Sequence, residues 1–139
     1  MRETLYVESS ALIAAVLQGD AAARRSLRSA TQRIASALTI AEGRRALVRS
    51  LTLRLVNDDD YREAALFITD FESTCEIVSI SDEILKRVEG RFPVEPVRSL
   101  DAIHLATIEQ LDLPRRSVRI LTRDKRIIQN AEAVGYRVV

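Results

Sequence analysis

The chain has a single cysteine, no tryptophan, four glycines and three prolines in 139 residues. Each scarcity excludes something. One cysteine, Cys75, allows no internal disulfide and no cysteine zinc site, and a reducing, cytoplasmic setting is expected. The four glycines (Gly19, Gly43, Gly90, Gly135) form neither a G-x-G-x-x-G nor a Walker loop, so dinucleotide and P-loop chemistry have no support. Aromatics are 4%, too few for a base-stacking platform of the RRM or OB type. No apolar run approaches the roughly 18 residues that would cross a membrane, and no cleavage pattern follows residues 11–17. A membrane partner is not expected.

What is present is an ordinary globular composition. Hydrophobic residues make up 47% and charged residues 29%, which suits one domain over residues 1–139 and excludes a disordered chain. The net charge of +1 conceals a strong separation. Residues 1–19 carry −1, residues 20–57 carry +6, residues 58–95 carry −7 and residues 96–139 carry +3. Nineteen of the 21 bases are arginine, the side chain suited to bidentate phosphate contact.

Strand and helix patterns alternate. Leu5-Tyr6-Val7 reads as a buried strand, and Ser9-Ser10 as cap hydroxyls for an apolar helix to Leu17. Asp20 caps a second helix to about Ser29. Residues 33–35 are a weak strand, and Ser36 caps a long helix to about Leu55 with its stripe at Ile40, Leu47, Val48 and Leu51. A helix follows the Asn57–Asp60 break and runs to about Phe71. Residues 76–80 read as a buried strand, and Ser81 caps the next helix. A proline-bearing loop spans 91–98, and Ser99 caps a helix to about Leu111. Residues 118–122, 124–134 and 136–139 read as strand, helix and strand. Strands joined by helical crossovers run parallel, so the class is α/β with a central parallel sheet.

In such sheets function gathers beyond the carboxyl ends of the strands. Glu8 directly follows the first strand. Glu42 lies six residues after Ser36, Asp101 two after Ser99, and Asp124 two after residues 118–122. The helix macrodipole alone accounts for an acid in a first turn such as Asp101 or Asp124. Four acids converging on one crevice need more, because clustered carboxylates repel unless a cation neutralises them. Oxygen donors of this kind suit Mg²⁺ or Mn²⁺.

The same residues carry a family resemblance. Residues 6–12 (YVESSAL), 36–42 with Arg45 (SALTIAE), 100–106 (LDAIHLA) and 121–124 with Arg126 (LTRD) resemble, in order and spacing, the four blocks of PIN-domain nucleases. The size and the blocks look most like VapC toxins of toxin–antitoxin pairs. The resemblance covers nearly the whole chain, and the Asp101 block is its most specific part. It implies a three-layer α/β/α fold with about five short strands. It also implies a Mg²⁺- or Mn²⁺-dependent endoribonuclease toxin with Glu8, Glu42, Asp101 and Asp124 as catalytic and metal-holding acids. A VapB-like antitoxin, an RNA substrate (tRNA, rRNA or mRNA) and a homodimer are the implied partners.

Around these acids, Ser10 and Thr122 are expected to orient carboxylates. Arg45 and Arg49 share the helix face of Glu42 and are expected to meet substrate phosphates or balance the acids. His104, three residues after Asp101, is expected to make a structural hydrogen bond. Asp58-Asp59-Asp60 is read as helix capping and Cys75 as a small core residue. The family's first acid is normally Asp; here it is Glu8, which moves the carboxylate by roughly 1–1.5 Å. Two readings stay open, a working nuclease and a PIN-fold module that binds RNA or antitoxin without turnover. A receiver domain is disfavoured, since Glu8-Ser9 lacks the acid pair and Lys86 and Lys125 are the only lysines.

Overall fold

A computed structural model describes residues 3–139. The chain runs β1 (Thr4–Val7), α1 (Ser9–Leu17), α2 (Ala21–Ser29), β2 (Gln32–Ser36), α3 (Ala37–Thr52), α4 (Asp58–Thr74), β3 (Glu76–Val78), α5 (Asp82–Val88), α6 (Ser99–Glu109), β4 (Val118–Leu121), α7 (Lys125–Ala133) and β5 (Arg137–Val138). The five strands form one parallel sheet in the order β3-β2-β1-β4-β5. The chain builds outward from β1 to β3, then returns to lay β4 on the other side of β1. Connections leave the sheet in opposite directions at this point, so a crevice opens past the ends of β1 and β4.

Strand alternation sorts the core into two halves. Leu5, Val7, Ala35 and Leu121 face α1–α4 and pack with Leu12, Leu47, Ile68 and Phe71. Tyr6, Ile34 and Ile120 face the other way, toward α5–α7, and pack with Ile84, Leu105, Ile108 and Ile127. This is the expected α/β/α sandwich, and the period-2 pattern of β1 creates it. Gly43 lets α3 come close to its neighbours. A Cβ there would lie 3.2 Å from Leu12 Cδ2 and 3.4 Å from Ile68 Cδ1.

Several local expectations need correction. Helix α3 stops at Thr52 rather than near Leu55. Arg54 turns left-handed at φ 57°, Arg54 N–H bonds Leu51 O and Leu55 N–H bonds Ser50 O, which closes a Schellman motif without glycine. Strand β3 is shorter than expected and only half-buried, because it pairs on one side alone. Ser99 is the first residue of α6 and not its cap; Arg98 holds the cap position with no side-chain bond. Asn57 caps α4 by accepting from Asp60 N–H at 2.7 Å, while Asp58, Asp59 and Asp60 fill its first turn. Burial pushes the Cys75 thiol up to about 12, which leaves it an unreactive packing residue. Among the described residues no helix is long and apolar enough to cross a membrane.

Candidate active site

Glu8 follows β1 while its backbone still belongs to the sheet, its N–H bonding Leu121 O at 3.0 Å. Its extended backbone makes it the N-cap of α1, displacing the expected Ser9-Ser10. The longer side chain folds back, so that Oε2 accepts from Ser10 N–H at 2.6 Å and Oε1 from Thr122 Oγ1 at 3.3 Å. Glu8 is 3% exposed. Burial raises its carboxyl above the usual range; His104 and the Ser10 donors oppose this, and the Asp124 charge adds to it.

Thr122 also receives Asp124 N–H at 3.1 Å, and Ser10 Oγ receives Arg123 N–H at 2.8 Å. The two hydroxyls lie 3.3 Å apart. They therefore lace the end of β4 to the start of α1, as expected of residues that orient Glu8. Asp124 caps α7, its Oδ1 accepting from Arg126 and Ile127 N–H. Arg123 braces this corner, bonding Asp20 Oδ2 at 2.8 Å and the carbonyls of Thr122 and Val139.

Asp101 stands in the first turn of α6. Burial raises its carboxyl, the Asp124 and Glu42 charges raise it further, and His104 and Arg98 hold it back. Glu42, in the second turn of α3, behaves differently. Burial would raise it, but hydrogen bonds from His104 and Ser9 outweigh that and hold it below the usual range. His104 is buried, as expected, and its Nε2 lies 2.9 Å from Glu42 Oε1.

The four acids thus come from four elements to one end of the sheet, where their charges act on one another. Among the described residues, however, no three Asp, Glu, His or Cys side chains are disposed as a ready-made metal cluster. Glu42 and Asp124 each spend one oxygen on nearby protein donors, and Glu8 spends both. The donor set still fits a small hard cation. Mg²⁺ and Mn²⁺ take oxygen, and Mg²⁺ needs only one or two carboxylates when it keeps its waters. Glu8 and Asp101, raised by burial and by the charges of Asp124 and, for Asp101, Glu42, are the acids whose charge a cation would relieve.

Arg45 and Arg49 stay apart from this network. With Glu42 they line an open groove of ≈ 820 Å³ whose other walls include Ile13, Leu38, Val48, Leu53 and Leu100. Neither forms an ion pair among the described residues, so they do not balance the acids here. Sequence reasoning missed Ser9 and Tyr6. Ser9 Oγ donates to Glu42 Oε1 at 2.6 Å, and the Tyr6 hydroxyl lies 3.0 Å from His104 Nδ1. A phenol in a buried strand needs a partner, and the lone histidine was the signal available.

The comparisons with known proteins now bear on this geometry. Residues 5–133 match the PIN domain family. The chain belongs to the PIN-domain family. Ribonuclease VapC46 of Mycobacterium tuberculosis is 32% identical over 137 residues, covering 97% of this chain and 95% of that protein. This places the PIN domain in the VapC branch that its motifs suggested. Solved structures share its fold. PAE2754 from Pyrobaculum aerophilum has a TM-score of 0.65 at 20% identity, over 99% of this chain and 90% of that one. A toxin–antitoxin complex from Klebsiella pneumoniae has 0.63 at 20% identity, over 97% and 95%. VapBC2 from Rickettsia felis, bound to a DNA fragment from their promoter, has 0.62 at 9% identity, over 98% and 97%.

A pH dependence follows for this PIN domain without metal. An acid raised in the fold binds more protons folded than unfolded between the two pKa values, so stability falls as pH rises through that window. Glu8 and Asp101 act this way, above the usual carboxylate range. Glu42 is lowered, so its contribution is present above that range and is lost as pH falls below it. Thermal melts of metal-free protein should therefore show Tm rising as pH is lowered from neutral toward the ordinary carboxylate range, then falling below that range. A Tm that drops steadily from pH 7 downward would contradict the assignment.

Proposed function

We propose that this PIN domain is a divalent-metal-dependent endoribonuclease, a VapC-type toxin held inactive by a cognate antitoxin. The observation that carries the reading is the meeting of Glu8, Glu42, Asp101 and Asp124 at the β1–β4 crevice in a chain 32% identical to a VapC ribonuclease. A bound Mg²⁺ or Mn²⁺ would neutralise phosphodiester charge and make a water acidic enough to attack at neutral pH. Asp101, whose carboxyl is raised by burial and by neighbouring acids, and Glu42 are the principal holders. Glu8 and Asp124 complete the negative ring, with Ser10 and Thr122 fixing their orientation. Arg45 and Arg49, unpaired along the groove that ends at Glu42, receive the backbone phosphates of RNA.

The apolar surface supports the partners. Val48, Leu53 and Leu100 are exposed in the groove beside Glu42, a face suited to a second copy of the chain. A separate depression between α1, α2 and α4 is lined by Val16, Leu17 and Phe67. Arg24 and Arg28 stand in it with Asp60 and Glu63, a mixture suited to an antitoxin segment. The toxin–antitoxin complexes among the fold's solved relatives favour such a partner.

The test is direct. Antitoxin-free protein incubated with structured tRNA or rRNA should cut it in Mg²⁺ or Mn²⁺ and stop when EDTA is added. Cleavage that continues in EDTA would overturn the metal-dependent reading.

A further inference from the structure

Behind Glu42 lies a buried cluster that the nuclease reading leaves without a role. Ser9 of α1 and His104 of α6 converge on one oxygen of Glu42 on α3, and Tyr6 of β1 backs the histidine. Tyr6 and His104 are 0% and 1% exposed, and their rings meet edge to face with centroids 6.3 Å apart. The Tyr6 hydroxyl is 3.0 Å from His104 Nδ1. On the far side of the ring, Nε2 is 2.9 Å from both Glu42 Oε1 and Ser9 Oγ. Ser9 Oγ also donates to Glu42 Oε1, at 2.6 Å.

The proton placement follows from this inventory. An ionised carboxylate only accepts, and the single Ser9 hydroxyl hydrogen goes to Glu42. Both neighbours of Nε2 therefore call for a donor, and the ring proton belongs there. Nδ1 is left with a lone pair, which the Tyr6 hydroxyl satisfies. Among the described residues the other oxygen of Glu42, Oε2, accepts no hydrogen bond, although the side chain is 29% exposed. A glutamate that open to solvent would ordinarily sample several rotamers. Here two bonds, one from α1 and one from α6, hold one oxygen and leave the second free.

We propose that Tyr6 and His104 are positioning residues for Glu42. Tyr6 donates to Nδ1 and so holds the ring in place, and His104 with Ser9 pins Oε1 so that Oε2 is held ready for a divalent cation. The inference rests on the reading that Glu42 is one of the metal-holding acids. Outer partners of this kind typically change metal affinity by about 10–100-fold.

The chain has one histidine, so an ¹⁵N imidazole spectrum of metal-free protein reports this ring alone. At neutral pH it should show a protonated Nε2 and a hydrogen-bonded, unprotonated Nδ1. Tyr6→Phe should shift the Nδ1 signal and leave Nε2 protonated. Mn²⁺ binding followed by EPR should weaken about 10–100-fold in His104→Leu. His104→Gln, whose amide can still donate to Glu42, should recover most of that loss whatever its Tm. A proton found on Nδ1 overturns the proposal. So does a cooperatively folded His104→Leu that binds Mn²⁺ as the wild type does, or a folded His104→Gln that binds it at least about 10-fold more weakly than wild type. Wild type that shows the expected spectrum but binds no Mn²⁺ would sink the metal-site reading and the readiness of Oε2. The pinning of Oε1 by His104 would still stand.

Discussion

Asp101→Asn is expected to reduce metal-dependent RNA cleavage by at least about 10²-fold and, in the same protein, to raise the Tm measured without metal. The two effects share one cause. Asp101 is raised first by burial and then by the charges of Asp124 and Glu42, so its ionised form is disfavoured wherever no cation is bound. An uncharged amide of the same shape removes that repulsion. If Asp101 holds the cation as proposed, the same change removes one of its ligands. At a Mn²⁺ concentration of 100 times Kd, wild type should gain about 2.7 kcal/mol, or about 9 °C in a chain of this size. The Asn variant should gain less than about 2 °C under identical conditions. Differential scanning calorimetry with and without Mn²⁺, beside a cleavage assay, reads both. Cleavage at the wild-type rate, or full Mn²⁺ protection of the variant, would remove Asp101 from the site.

This combination of strain and function explains why some of the molecule was legible in sequence and some was not. The short apolar run Leu5-Tyr6-Val7 placed β1 correctly, because a central strand buried on both faces is apolar along nearly its whole length. The positions of the acids after strands and at helix starts also carried through, since parallel topology puts those positions at one end of the sheet. Asp20, Ser36 and Ser81 cap their helices as expected, and the caps that failed are those of α1 and α6. Glutamate is a poor guess for an N-cap, yet Glu8 caps α1 because its backbone is held to Leu121 and its side chain is long enough to fold back on Ser10. The left-handed Arg54 that ends α3 carries no glycine to announce it. The Tyr6–His104–Ser9–Glu42 network joins residues up to 98 positions apart, and only tertiary structure brings them together.

The charge separation in the sequence gains a spatial meaning from the same topology. The basic segments 20–57 and 96–139 contain α3, α6 and the end of β4, which carry Glu42, Asp101 and Asp124. The acidic segment 58–95 forms α4, β3 and α5, and β3 is the sheet edge two strands away from β1. For the proposed RNA substrate, such a distribution would draw the phosphate backbone to the crevice side and discourage it from the β3 edge. Concentrating negative charge there also leaves the few acids at the crevice as a local exception within a basic surround, which is where a cation and a polyanion can be held together.

Glu8 decides between a working nuclease and a binding module, and a short substitution series should resolve it. The wild-type carboxylate is already within reach of Ser10 and Thr122, so the extra methylene is absorbed by folding back and not by moving β1. Glu8→Asp keeps an oxygen that can accept from the start of α1, because aspartate is a preferred N-cap. It withdraws the carboxylate by roughly 1–1.5 Å and gives up the Thr122 contact. Its cleavage rate should therefore lie within about tenfold of wild type, a smaller change than a full misplacement would cause. Glu8→Gln keeps the length, and its amide oxygen and NH₂ can still meet Ser10 N–H and Thr122 Oγ1. With no buried charge it should fold at least as stably as wild type. Without a carboxylate it should cleave at least about 10²-fold more slowly. Single-turnover cleavage rates and melts of the three proteins give the answer. A gain of about 10²-fold in Glu8→Asp would mean that the natural glutamate holds the enzyme impaired. A Glu8→Gln protein as fast as wild type would mean that this carboxylate takes no part in the reaction.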